Sequence, residues 1–418
     1  MAIAVVVLGS TSARAAPSSC GSEITGQNVV LCVLRASLAV RRGLETTEAA
    51  QGRRSAVAPL LPSNPVVTLS VARPAGAGTV GAGTVWYGSL GQELEIAGQR
   101  AARKRSADAE IVAAQSRVLQ TQRDVAALAL DRFYEALAAD EEVRLALRLE
   151  HAALRVRTSA RGMADKGLLA PVDADLADAS SVRIVQTRLA AERRLQTARS
   201  TLASLLGLGP SEPLVLRGDL TVLPGTESLA RAGDGDALNR PEVLAAIAEG
   251  KAFESRAEAY RRARIPNVTV SIFAENDIYN DKAVGVGVSL PIPLPQPVGR
   301  TYAGEIRETS AFARRAEIDA DQVKRDLRLE LANSRFAFES RRAALEAFTP
   351  EQLARAEQSL EAVALEIEAG RLAIRDAIVT QQTLIGLLLD HIEAKRALCV
   401  ASVDLARASG VALERGQR

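Results

Sequence analysis

The chain has 418 residues, only 3% of them aromatic, and its 24% charged residues nearly cancel to a formal charge of +2. That balance argues against a whole-chain attraction to nucleic acid or anionic lipid, and the abundance of Ala, Arg, Leu and Glu favours long helices over several compact cores. His151 and His391 stand without Cys or Asp at ligand spacing, and no phosphate loop or Ser/His/Asp grouping is present, so no metal, cofactor or catalytic site is expected.

Residues 1–16 read as a secretory signal. An apolar run from Ile3 to Leu8 leads to Ala13-Arg14-Ala15, which fits an A-x-A cleavage site, although no positive n-region precedes it. Pro17-Ser18-Ser19 before Cys20 is unlike a lipoprotein box, so a lipid anchor is not expected. In an oxidising compartment Cys20 and Cys32 could pair; free buried thiols at Cys32 and Cys399 are the alternative. Beyond the signal no apolar run reaches about 18 residues, so any membrane crossing must use strands.

Val29 to Ala58 has helical spacing and is stopped by Pro59, Pro62 and Pro65. The period then becomes two. Val67, Leu69 and Val71 alternate with Thr68, Ser70 and Ala72, a Gly-rich loop fills 75–83, and a second strand runs from Thr84 to Ile96, giving a β-hairpin over 65–96. From Gln99 to about Ala160 there is no proline, which predicts a helix approaching about 90–100 Å. It ends at Gly167 in the run GLLAPVD and returns over about Val172 to Leu206, a helical hairpin over 98–206. The Gly-, Pro- and Asp-rich stretch 210–239 reads as a linker with short extended pieces.

The same order then recurs. Val268, Val270 and Ile272 alternate with Thr269, Ser271 and Phe273, a polar turn spans Asn276 to Asp281, and Val284, Val286 and Val288 alternate with Gly285, Gly287 and Ser289, giving a hairpin over 267–292. A long helix follows from Thr301 to Ala369 with Pro350 its only proline; it ends at Gly370 in GRLAIRD and returns over about Arg375 to Ser409, a helical hairpin over 300–409. Gly167 and Gly370 are 203 positions apart (370 − 167), as are Asp173 and Asp376, and Ala191/Ala394, Ala198/Ala401 and Gly207/Gly410 keep the register without a gap. The chain is thus two repeats, 24–209 and 240–411, with a tail at 412–418. Four strands cannot close a barrel; if they lie in a membrane, several copies must share one.

This order resembles the TolC family of outer-membrane efflux channels, with supporting phrases in LLPSNPVVTLSV, NRPEV, VGVSLPIPL and the two G-x-L-A-x-x-D tips. The resemblance implies a mostly α fold with a small membrane β-barrel, a two-fold internal repeat of helix, β-hairpin and long α-helical hairpin, and a trimeric α/β tunnel with twelve strands. It implies a passive exit duct in a Gram-negative outer membrane with a long periplasmic extension. The partners implied are two more copies of the chain, a periplasmic adaptor, an inner-membrane pump of the resistance-nodulation-division type and outer-membrane lipid, with no nucleic acid. The run QELEIAGQRAARK, Gln92 to Lys104, is similar to channels of cobalt-zinc-cadmium pumps, which implies export of divalent cations without a metal site in this chain.

In that family acidic rings close the inner mouth. Asp376 matches one such position, while Val379, one turn on, departs from a paired ring; Asp173 and Asp175 are the carboxylates of the first tip. Helix-start capping is the alternative role for Asp173 and Asp376. Arg371 and Arg375 flank Asp376 and could hold a closed mouth by ion pairs. A periplasmic adaptor or another coiled-coil structural protein of an export complex is the alternative reading, but an adaptor should have one helical hairpin between compact β domains.

Overall fold

The computed structural model describes residues 20, 23–73, 84–209, 212–231, 240–277, 281–369 and 371–411. The expected signal, the Gly-rich loop 75–83, Gly370, part of the second strand turn, part of the linker and the tail lie outside the described residues. The elements in chain order are β1 (Glu23–Thr25), α1 (Val29–Ala36), α2 (Leu38–Ala56), β2 (Val66–Ala72), β3 (Val85–Leu94), α3 (Gln99–Asp165), α4 (Pro171–Leu205), β4 (Val215–Arg217), α5 (Thr226–Arg231), α6 (Pro241–Arg262), β5 (Val268–Asn276), β6 (Lys282–Ser289), α7 (Ala303–Glu346), α8 (Pro350–Glu368) and α9 (Ile374–Ala408).

Two compact units divide this chain, one of residues 1–38, 122–233 and 330–418, the other of residues 39–121 and 234–329. In the first, Phe133, Leu130, Leu202, Val33 and Val403 are almost wholly enclosed and form a core with Ile24 and Leu220. Alanines Ala126, Ala129, Ala136 and Ala198 lie in the same core, small side chains that permit close helix approach. The linker region is more ordered than its composition suggests. β4 pairs in parallel with β1 (Ile24 opposite Leu216), and the Tyr134 hydroxyl donates to the Thr221 carbonyl at 2.9 Å. Cys20 and Cys32 form a disulfide with Cα atoms 5.8 Å apart, tying the segment before β1 to α1, while Cys399 is a buried free thiol whose burial pushes it up to about 12.

The second unit carries a four-stranded antiparallel sheet in the order β2-β3-β5-β6. Its central pair, β3 with β5, joins the two repeats, and β2 and β6 are its outer strands.

Two expected helices are broken. The helix over Val29–Ala58 turns extended at Ser37 (φ −61°, ψ 117°), a residue type that favours helix ends, and α2 restarts at Leu38. The helix over Thr301–Ala369 stops at Glu346 and restarts at Pro350. Proline lacks an N–H and drives the preceding residue out of the helical region, and Thr349 is indeed extended (φ −79°, ψ 144°). A capping box repairs the new end: Gln352 N–H donates to Thr349 Oγ1, and Thr349 N–H to Gln352 Oε1, both at 3.3 Å.

Candidate functional site

The sheet's register sorts its side chains by face, because directly opposed residues point the same way. One face collects Val67, Leu69 and Val71 of β2, Trp86 and Leu90 of β3, Val268, Val270 and Ile272 of β5, and Val284, Val286 and Val288 of β6. The other collects Thr68 and Ser70, Ser89 and Gly91, Thr269 and Ser271, Gly285 and Gly287. Phe273 and Tyr87 stack there with centroids 6.0 Å apart, and Phe273 lies so close to Gly285 that a Cβ would sit 2.6 Å from its ring.

The apolar face is bare: Leu69 is 78% exposed and Val284 85%. An apolar patch crossing four strands exceeds what a soluble monomer ordinarily leaves open, and it suits contact with lipid. Ten residues of β3 span about 33 Å. At a tilt of about 45° that covers about 23 Å of depth, close to the ~25 Å apolar band of an outer-membrane barrel. Among the described residues no helix is long and apolar enough to cross a membrane.

The other candidate lies in the first unit, at the two duplicated tips. Gly167 has φ +72°, the left-handed backbone that ends α3; Leu168 N–H donates to Met163 C=O and Gly167 N–H to Ala164 C=O, both at 2.9 Å. At the second tip Arg371 N–H makes the equivalent bond to Glu366 C=O at 2.9 Å. The returning helices α4 and α9 begin at equivalent positions after Ala170 and Ala373, both extended. Asp173 and Asp376 are therefore both third in their helices, where a carboxylate meets the positive end of the dipole.

A small core binds the tips together. Val156, Ala160 and Ala177 of the first hairpin pack with Val363, Ile367, Ile374 and Ile378 of the second, and the equivalent leucines Leu169 and Leu372 close over it.

The charges pair both within and across the two tips. Arg371 does not turn to Asp376; it forms a two-pronged pair with Glu366 at 2.7 and 2.8 Å, which holds the Glu366 carboxyl below its usual range. Arg375 reaches across to Asp173 at 3.9 Å. Asp175 meets Arg161 at 3.3 Å, and Asp178 meets Arg157 at 2.8 Å and Arg161 at 3.2 Å. Asp376 is exposed and has no ion-pair partner among the described residues, and Val379 beyond it is 63% exposed. Glu366, Arg157, Arg161 and Asp178 escaped the sequence reading. Their signal was there as opposite charges placed on either side of each turn.

A concavity of about 670 Å³ in the same unit is lined by Glu141, Arg148, Glu357, His391 and Lys395 among others. Two ion pairs cross its lining, Lys395 with Glu141 at 3.0 Å and Arg148 with Glu357 at 3.2 Å.

A bare apolar sheet face on a long-helix scaffold defines the class: an outer-membrane channel fold. Residues 236–411 match the model of the outer membrane efflux protein family. The cobalt-zinc-cadmium resistance protein CzcC of Cupriavidus metallidurans is 27% identical over 293 residues, covering 70% of this chain and 69% of that protein. Among solved structures, CusC superposes with a TM-score of 0.76 at 14% identity, over 93% of this chain and 92% of its own. The CmeC outer membrane channel of Campylobacter jejuni gives 0.76 at 14% identity, over 92% and 85%. MtrE of Neisseria gonorrhoeae, solved in an open state, gives 0.70 at 16%, over 93% and 90%.

Proposed function

We propose that the chain is the exit duct of a tripartite efflux pump in the outer membrane. The observation that carries this reading is the apolar face that crosses all four strands. An open sheet in lipid would leave the backbone groups of β2 and β6 unpaired, so the edges must meet other copies. Three copies supply twelve strands, a barrel whose lumen is lined by the small polar face. The repeats 24–209 and 240–411 then each give the tunnel one strand hairpin and one helical hairpin.

The duct needs partners, because nothing in a passive channel supplies energy. A periplasmic adaptor and an inner-membrane pump of the resistance-nodulation-division type fit this role, and the likeness to CzcC favours heavy-metal cations as cargo. The cargo would cross without a resident metal site. At the tips, Asp376 is the carboxylate left free to meet passing cations, whereas Asp173 is engaged by Arg375. Gly167 turns the first hairpin at this end and Asp175 braces it; Gly370, outside the described residues, holds the matching place in the second repeat.

Extraction from outer membranes, sizing and planar-bilayer recording test the reading together. A trimer that conducts is expected, with Asp376→Ala lowering cation selectivity. A soluble monomer without conductance overturns the duct, and unchanged selectivity in Asp376→Ala removes that residue from the constriction.

A further inference from the structure

The strand register puts the start of β2, the end of β3, the start of β5 and the end of β6 at one end of the sheet, where the helices attach. The connecting segments there are also apolar and bare. Leu60 is 80% exposed, Ile292 81% and Val298 80%. They adjoin, in the chain, the strand ends at this end of the sheet.

Cations and aromatic rings contact the ends of these segments. Arg100 donates from Nε to the Pro59 carbonyl at 2.7 Å and also to Ala58, immediately before Leu60. Arg264 donates to the Thr301 carbonyl at 3.2 Å, just after the segment holding Ile292 and Val298. Neither guanidinium meets a carboxylate among the described residues. Tyr302 sits in the left-handed region (φ 55°), uncommon for a large side chain; it stacks on Tyr260 at 6.1 Å and carries Arg300 over its ring at 4.8 Å. Arg300 itself is paired with Glu305 at 2.8 Å, so the unmatched positive charge belongs to Arg100 and Arg264.

Exposed aliphatic side chains, amphipathic rings and guanidiniums without carboxylates, gathered beside a lipid-facing sheet, fit the boundary between acyl chains and headgroups. We infer that this end of the sheet binds anionic phospholipid of the helix-side leaflet, with Arg100 and Arg264 receiving the headgroup phosphate and the apolar segments lying against the acyl chains. A net negative headgroup supplies the counter-charge that the protein withholds from these two arginines. The inference rests on the membrane reading of the sheet given above and narrows it to a lipid class.

The full-length protein is reconstituted in vesicles of phosphatidylcholine alone or doped with phosphatidylglycerol, and retained lipid is counted by native mass spectrometry, with conductance recorded from the same preparations. Each arginine should favour phosphatidylglycerol about fivefold, so Arg264→Gln loses about fivefold and the Arg100→Gln, Arg264→Gln pair about 25-fold. Arg264→Gln is the safer variant, since its side chain holds only one backbone carbonyl. Conducting wild-type protein that retains both lipids equally, or variants that keep the preference, overturn the inference while leaving the duct intact. Loss of the oligomer in Arg264→Gln with unchanged lipid retention would make this end a contact between copies and also overturn it. Absence of conductance in every vesicle is the separate failure of the duct.

Discussion

The two repeats share one scaffold and differ where it bends. α4 and α9 are each 35 residues long and begin 203 positions apart (374 − 171), and the pairs Ala174/Ala377, Leu195/Leu398, Ala198/Ala401 and Leu202/Leu405 are buried in both. The outgoing helices are unlike. α3 runs 67 residues without a break, whereas its counterpart is split into α7 and α8 at Thr349-Pro350. At the tips the first hairpin gives the shared core chiefly small side chains, Ala160 and Ala177, and the second gives Val363, Ile367, Ile374 and Ile378. An unbroken outgoing helix in the first repeat thus corresponds to a broken one in the second, whose hairpin supplies the larger aliphatic side chains of the shared core.

Removing that bulk should have the largest effect. Ile367 is 1% exposed, and the matching residue of the first hairpin is already Ala164. Ile367→Ala should cost about 2–5 kcal/mol of local stability by leaving a cavity between the tips. Hydrogen exchange should quicken around Val156–Ala177 and Val363–Ile378, and reconstituted channels should open more readily. Unchanged exchange would mean that the first hairpin holds the tips by itself.

A smaller effect should come from the hinge. Phe348, at the break, packs its ring 5.5 Å from His391 of α9, whereas the equivalent positions of the first repeat hold Leu145 and Arg188, which cannot form a ring pair. Burial, and then the Lys395 ammonium, hold His391 below its ordinary value of 6.5, while Glu141 pulls weakly the other way. A depressed folded-state value means that the neutral ring is favoured in the native state. Its stability contribution is therefore complete above about pH 6.5 and is lost as the pH falls through the lower folded value. Acidification from about pH 7.5 to 5 should lower hydrogen-exchange protection, taken relative to the intrinsic rate at each pH, around the α7–α8 break and leave protection in the middle of α3 unchanged, and His391→Gln should abolish the difference. Equal acid sensitivity in both repeats would mean that the break does not set them apart.

Much of this asymmetry was legible in the residues. The ungapped 203-residue register located both tips, and Pro350 marked the one place where the second long helix was at risk. Alternation at Val67, Leu69 and Val71 and at Val284, Val286 and Val288 located the outer strands, because a period of two survives without knowledge of neighbours. What stayed hidden depends on contacts distant in sequence. The parallel pairing of β1 with β4 joins residues far apart in the chain, Glu23 with Val215, and the disulfide had a free-thiol alternative of equal standing. Likewise, Arg375 lies beside Asp376 in the chain, yet the carboxylate it meets is Asp173, because successive residues of a helix face different ways.

That cross-tip contact should have the smallest effect. Arg375 is 75% exposed and its Nε stands 3.9 Å from Asp173, so solvent screens the attraction and the pair adds little to the hold of one tip on the other. Arg375→Glu should then raise channel opening at low salt and show almost no effect at high salt, and Asp173→Arg in the same chain should restore the wild-type level by reversing the pair. A purely local role in capping α4 predicts a different pattern. Asp173→Arg alone would damage the start of α4 whatever stands at position 375, and the double variant would be no better than that single one. Rescue by the reversed pair therefore separates a latch between the two hairpins from two independent helix ends.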